Sequence, residues 1–403
     1  MRIRLVKRYV LSFDRRIWTP NLILMASAVF MMRFGEGVLG GARTNFFVDT
    51  LNMTGGQVLW LEGMRELPGL ALIFIAALTM RLPLSSRAAA AILITGVGYV
   101  LYATVGSYWA LVAVAVFASL GMHMWFPLQS SLGMSLSTKD NAGRVLGTLA
   151  SVGALAALIG MGVLALVAKL VAGLSLRTYY VIGGVFVVIA ALLIYRLPKD
   201  IGSTAEEQPR MLLKRRYWLY YVLTFFEGSR KQVLNPFGML VLVDSFDLQV
   251  WQISLILLVS SIINMLAGPP VGALVDRFGE RWTVSFRYAV LTLCCLGLAV
   301  IGNVWVLVGL LFLIKLMVMM GMGLSTYVYR IAPAEELTPT LSAGISINHV
   351  TSVAMPLLAG VLLAYVGYEG IFAGTACMIL ASIPFAWMLK ISQPMAPQAA
   401  PAL

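Results

Sequence analysis

Apolar runs of about twenty residues or more recur from one end of this sequence to the other, and that recurrence constrains the fold more than any other feature. A hydrocarbon layer about 30 Å thick is crossed by about 20 residues of helix. Inside such a layer each backbone N–H and C=O must find a partner within its own segment, so runs of this length cross singly only as helices. Composition agrees: of 403 residues, 60% are hydrophobic and only 11% charged. Mean hydropathy is +0.90, far outside the range of ordinary soluble domains. The chain reads as an all-α polytopic membrane protein whose first partner is the lipid bilayer.

A formal net charge of +12 raises the question of a nucleic-acid partner, and the placement of the basic residues answers it. Arg2, Arg4, Lys7, Arg8, Arg15 and Arg16 precede the first apolar run, while Arg196, Lys199, Arg210, Lys214, Arg215 and Arg216 flank a central polar stretch. Arg81 and Arg87, Lys139 and Arg144, Arg277 and Arg281, and Arg330 fall in every second connection. The intervening connections are nearly free of Lys and Arg, apart from Lys169 and Arg177. This alternation follows the positive-inside rule and predicts a multi-pass protein of the cell (inner) membrane with both termini in the cytoplasm. The basic charge is thus assigned to membrane topology, and nucleic acid is not an expected partner. The N-terminus continues polar through Asp14, Arg15 and Arg16 and does not read as a cleaved signal peptide. Cys294, Cys295 and Cys377 lie within apolar runs and read as small packing residues, with neither a disulfide framework nor a metal site.

Apolar runs bounded by Gly, Pro and charge predict spans near 22–48, 57–80, 88–105, 109–133, 145–168 and 178–197. A second set follows near 217–243, 250–272, 284–301, 305–329, 341–365 and 370–390. The polar stretch 198–216 divides an N-terminal six-helix half, 1–197 with a basic cytoplasmic start over 1–20, from a C-terminal half, 217–403. The halves look like repeats of one another. FGEG at Phe34–Gly37 precedes Asp49 and Gln57, and FFEG at Phe225–Gly228 precedes Asp244 and Gln252 at the same Asp-to-Gln spacing. Gly121-Met122 recurs as Gly321-Met322, and Ala142-Gly143 as Ala343-Gly344. A duplicated six-span unit places a cavity between its copies, the plan of alternating-access transporters.

The connection after the eighth span reads GALVDRFGER, Gly272 to Arg281. It resembles the signature Gly-x-Leu-x-Asp-Arg-x-Gly-x-Arg of the major facilitator superfamily, filled here by Gly272, Leu274, Asp276, Arg277, Gly279 and Arg281. Glycine suits a tight turn there, and an acid can take charge-assisted hydrogen bonds from a neighbouring span. The resemblance implies twelve transmembrane helices in two six-helix pseudo-repeats around a central cavity, and a role for Asp276, Arg277 and Arg281 in a cytoplasmic gate. The family's copy of the motif between spans two and three is reduced here to RLPLSSR, Arg81 to Arg87, without an Asp.

Ionisable residues inside the spans are the functional candidates, because a charge in hydrocarbon costs several kcal/mol unless it is paired or hydrated. In span seven Glu227, Arg230 and Lys231 stand at i, i+3 and i+4; in span one Arg33, Glu36 and Arg43 also share a face. Span two carries Glu62, Arg65 and Glu66; span ten carries Lys315; spans four and eleven carry His123 and His349. By the resemblance these spans line the cavity or the seam, so Arg33, Glu36, Arg43, Arg65, Glu66, His123, Glu227, Arg230, Lys231, Lys315 and His349 are expected to meet solute or a coupling proton. The pairs Arg33 with Glu36, Glu62 with Arg65 and Glu227 with Arg230 fit equally well as ion pairs that merely hold the gates. No phosphate-binding loop, H-E-x-x-H or G-x-S-x-G motif occurs. The expectation is a monomeric, cofactor-free secondary transporter of a small organic solute rather than an enzyme. Coupling to protons is left open, and the excess of intramembrane base leans towards an anionic or zwitterionic cargo. A multidrug or sugar exporter is the alternative, and a receptor or membrane enzyme on the same fold a remote one.

Overall fold

The computed structural model describes residues 18–79, 81–137, 142–171, 173–201, 213–332 and 334–390; the N-terminal basic segment and most of the central linker lie outside them. Among the described residues the chain is helical, with no strand. The first half comprises α1 (Pro20–Asn45), α2 (Gly55–Thr79), α3 (Leu84–Tyr102), α4 (Tyr108–Ser135), α5 (Ala142–Leu170) and α6 (Leu176–Tyr195). The second comprises α7 (Trp218–Gln232), α8 (Gly238–Asp244), α9 (Val250–Val300), α10 (Val304–Met319), α11 (Met322–Ile331) and α12 (Ala334–Trp387).

The two longest helices are each two rods in series. In α9 the helical backbone breaks at Gly279, with φ 75°, and in α12 at Gly367, with φ 64°. Both dihedrals lie where a Cβ is strained, so glycine is the residue that permits the reversal. The α7–α8 and α10–α11 pairs each make one interrupted rod, α7 running through a π-turn, Val233–Phe237, into α8. Nine stretches among the described residues are long and apolar enough to cross a membrane. Helix α2 and the α7–α8 rod are not among the nine; each carries three central charges, Glu62, Arg65 and Glu66, and Glu227, Arg230 and Lys231. With these two added and Ala343–Trp387 divided at Gly367, the rods among the described residues number twelve.

Helix starts follow local chemistry. Thr19 accepts from the Leu22 N–H at 3.2 Å with Pro20 at the first helical position, and Ser107, Ser175 and Asn303 cap α4, α6 and α10 in the same way. The repeat is visible at this level. Gln57 accepts from the Thr54 N–H and Gln252 from the Gln249 N–H, at 3.0 and 2.8 Å. Asn52 and Asp247 hold positive φ of 48° and 52° just before those caps. Both arrangements recur at one fixed offset, the offset that also relates Asp49 to Asp244.

Within the first half α3 packs on α4 and α6, and α1 on α5 and α6; within the second, α12 packs on α7 and α9. The halves meet along α2–α12 and where α9 lies against α1 and α5. Along α2–α12 the approach is backbone-close: a Cβ on Gly360 would stand 2.4 Å from Trp60 Cδ1, and one on Gly56 2.9 Å from the Gly360 carbonyl. Asn45 Nδ2 donates to the Leu248 carbonyl at 2.9 Å, and Lys169 lies 5.2 Å above the Trp251 ring. A cleft of about 260 Å³ opens beside them, lined by Asn45, Asp49, Tyr179, Gln249 and Trp251. The structure also explains the two basic residues that break the charge alternation. Lys169 stacks on that tryptophan, and Arg177 Nη1 donates to the Ala103 and Val105 carbonyls at 2.8 Å, closing the end of α3.

Candidate functional site

The intramembrane charges sort into three groups, and only one of them joins the halves through side chains at mid-helix. The first group belongs to the N-terminal half. Arg33 Nη1 donates to Glu36 Oε2 at 2.8 Å. Arg65 Nη1 donates to both oxygens of Glu62, at 2.9 and 2.8 Å, and Arg43 of α1 reaches the same carboxylate at 3.1 Å. Glu62 therefore ties α1 to α2 with two guanidinium groups. Both expected intrahelical pairs form.

The second group belongs to the C-terminal half and accounts for Glu227 and Arg230 of α7. Glu227 receives Arg287 of α9 in bidentate fashion, Nη1 to Oε1 at 2.6 Å and Nη2 to Oε2 at 2.8 Å. Tyr288 donates to Glu227 Oε1 at 2.9 Å, and Arg230 donates to the same oxygen while its guanidinium lies 4.4 Å from the Tyr288 ring. Arg230 and Arg287 are both 2% exposed or less. This is a buried, charge-assisted knot between α7 and α9. Arg287 is the functional candidate that the sequence reading missed; its signal is the same as that of Lys315, one charge inside an otherwise apolar span.

The third group lies between the halves. Glu66, near the middle of α2, receives Lys231 Nζ of α7 at 3.3 Å on each oxygen. His349 of α12 stands with Nδ1 3.0 Å from Glu66 Oε2, and His123 of α4 with Nε2 3.9 Å from that oxygen. The two imidazoles meet edge to face with centroids 5.1 Å apart. Gly69 makes the room: a Cβ there would stand 2.8 Å from His349 Nδ1 and 3.0 Å from His123 Nε2. The single face expected of Glu227, Arg230 and Lys231 is therefore divided. The first two turn into their own half, and Lys231 crosses to the other. Lys315 is half-buried on α10 and feels the charge of Arg43 across the seam.

The signature loop is fastened inside the second half. Gly279 makes its turn, Arg281 Nε donates to the Leu389 carbonyl at 3.0 Å, and its guanidinium lies over Trp387. Glu280, 1% exposed, forms an ion pair with Arg330 at 3.0 Å, an approach that lacks the alignment of a hydrogen bond. Arg277 is exposed over Phe278. The side chain of Asp276, like the surroundings of Gly272, lies outside what the structure describes. At the same end Glu336 collects Lys214, Arg216 and Tyr217. The Lys214 hydrogen bond leads in holding its carboxyl down at about 2, and burial with the Glu336 contact pushes the Tyr217 hydroxyl up to about 12.

Comparison with known proteins agrees with this geometry. A family model described as Major Facilitator Superfamily matches residues 220–402. The second half of the chain thus resembles the major facilitator superfamily. Its fold is similar to that of a variant of the nucleoside transporter NupG, at a TM-score of 0.75 and 16% identity over 92% of this chain and 100% of that one. It is similar in the same degree to a bacterial homologue of the human lysosomal transporter Spinster, in an inward-facing and unoccupied conformation: TM-score 0.75, 11% identity, 92% and 97% covered. The human organic anion transporter MFSD10 is matched at a TM-score of 0.58 and 15% identity, over 92% of this chain and 100% of that one. No curated protein sequence matches the chain. The family model covers the second half, the one that carries GALVDRFGER, while these fold likenesses extend over both halves.

Proposed function

We propose that this protein is a secondary active transporter of the major facilitator superfamily for a small anionic or zwitterionic organic solute, working by alternating access. The observation that carries the proposal is the third group: Glu66 from one half grips Lys231 and His349 from the other, midway along their helices. Side chains so placed change partners whenever the halves rock, and they are the ones a solute entering the seam can replace. Charge supports the class of cargo. The three groups together with Lys315 hold seven cations, Arg33, Arg43, Arg65, Arg230, Lys231, Arg287 and Lys315, against four carboxylates, Glu36, Glu62, Glu66 and Glu227. A carboxylate or phosphate brought by the solute would offset that excess at low cost in desolvation. Two proteins of similar fold, a nucleoside transporter and an organic anion transporter, suit cargo of this size and polarity.

The working molecule on this reading is a monomer in the inner membrane with both termini cytoplasmic, and Glu66 is the carboxylate best placed to exchange a proton with solute. Purified protein, screened by thermal shift against small carboxylates, phosphates, nucleosides and lipophilic cations, should respond to the anionic set. In proteoliposomes loaded with a responding solute, Glu66→Gln should lose uphill transport driven by a proton gradient. Hits confined to lipophilic cations would overturn the anion reading in favour of drug export, and undiminished uphill transport by the variant would remove Glu66 from coupling.

A further inference from the structure

The chain of 403 residues contains two histidines. They come from opposite halves, 226 positions apart in the sequence, yet the fold brings both rings against one another and against the same carboxylate. Packing alone gives little reason for that convergence, since a buried imidazole needs a polar partner and either ring could have found one within its own half. The geometry points instead to a binding site: we propose that Glu66, His123 and His349 bind a first-row transition-metal ion, of the Zn²⁺ class, that bridges the two halves.

Three observations support it independently. The ligand atoms of Glu66, His123 and His349 all lie within 4.8 Å of one another, with individual separations of 3.0 and 3.9 Å. Ligand atoms about 2.1 Å from a tetrahedral zinc are about 3.4 Å apart, so small side-chain adjustments complete the set. Two imidazoles and a carboxylate are also the donors that favour zinc and its neighbours over magnesium or calcium, and they leave a fourth position open. Second, His123 is already oriented. Its Nδ1 lies 2.9 Å from the Ser119 carbonyl and 3.1 Å from the Ser119 hydroxyl. A carbonyl only accepts, so Nδ1 carries the proton and Nε2, the atom facing Glu66, carries the lone pair. This backbone-oriented imidazole is the arrangement metal-binding histidines use. Ser119 is itself held, its hydroxyl donating to the Arg65 carbonyl at 2.5 Å. Third, Gly69 leaves open the space against both ring nitrogens that any side chain would fill.

In the metal-free molecule His349 Nδ1–H donates to Glu66; a metal bound at Nδ1 displaces that proton, which passes to Nε2 of the same ring. Lys231 also bears on Glu66; its side chain is 40% exposed, so it can withdraw into water as the metal arrives. Because Glu66 and His123 belong to one half and His349 to the other, occupancy clamps the halves in the arrangement seen here and should stop transport. The inference does not depend on the identity or charge of the solute.

The test uses tag-free, full-length protein in detergent, titrated with ZnCl₂ by thermal shift and with CoCl₂ by visible absorption. Wild type should saturate at one ion per chain, raise its unfolding midpoint and develop the d–d bands of a nitrogen- and oxygen-ligated cobalt. His123→Gln and His349→Gln should each weaken binding by about tenfold or more. A measurement without variants stands beside these: diethyl pyrocarbonate modifies accessible imidazoles, and Zn²⁺ should protect both histidines of the wild type, read by mass spectrometry. Metal binding that survives the double histidine variant, a wild type that shows neither a shift nor bands, or modification unchanged by Zn²⁺ would each overturn the site. A metal response with intact solute binding and no transport would separate this clamp from the solute site.

Discussion

Two carboxylates within the spans, Glu227 and Glu66, differ in what surrounds them, and on the proposed reading that gives them opposite roles. Glu227 is enclosed by Arg230, Arg287 and Tyr288, all from its own half, and nothing in a rocking motion would part them. Removing one member of such a buried knot leaves charges unpaired, at a cost of about 3–5 kcal/mol. Glu66 shares its oxygens with a lysine that can return to water and with a histidine, both from the other half. Glu227→Gln should therefore lower the thermal unfolding midpoint in detergent far more than Glu66→Gln does, and solute binding per folded molecule should survive in the Glu227 variant. The reverse order of midpoints would make Glu227 the mobile carboxylate and Glu66 the structural one. From sequence, both were simply acids at helical spacing from a base. The difference rests on Arg287, sixty residues from Glu227 in the chain, and no local pattern records that contact.

At the scale of the helix, much was legible and the exceptions have physical causes. Length and hydropathy locate the rods, and the matched Asp-to-Gln spacing marks the repeat that the caps at Gln57 and Gln252 make concrete. The spacing does not show the π-turns, Phe46–Thr50 and Val233–Phe237, which shift side-chain facing within spans one and seven. Nor does it show that helix runs from Ala334 rather than from the expected 341, because the polar first turns of α12 carry no hydropathy signal. The convergence of Glu66 with two remote histidines was likewise invisible, although a chain with only two histidines, both inside apolar runs, offered a hint. What draws α2 and α12 close enough for that convergence is the missing side chain at Gly360. Gly360→Leu should drive Trp60 and α12 apart, since even a Cβ there meets Trp60 Cδ1 at 2.4 Å. The check is maleimide labelling of Val353→Cys, a position buried at the same seam opposite Gly63. Labelling several-fold faster in the Gly360→Leu background is expected; an unchanged rate would mean that α2 and α12 move together as one body.

At the scale of the whole molecule, the contacts that fasten one half to the other cluster on the Asp49 and Asp244 side of Glu66. They include Asn45 with Leu248, Lys169 with Trp251, Gly55 with Tyr368 and Gly56 with Gly360. The signature loop lies at the opposite end, and its Arg281 and Glu280 are fastened within the second half, to Leu389 and Arg330. A molecule closed at one end in this way transports only if that end opens later in the cycle. Backbone-close helix packing has few ways to yield gradually, so the opening should be a discrete parting of the halves. Linking Asn45→Cys to Leu248→Cys, in a background with Cys294, Cys295 and Cys377 replaced, bridges the halves where the wild-type contact is 2.9 Å. The linked protein should bind solute from the opposite side with unchanged affinity, lose net transport in proteoliposomes, and regain it when the disulfide is reduced. Transport that continues with the link intact would show that the halves do not separate here, and the path would then have to run through a part of the seam that these contacts leave free.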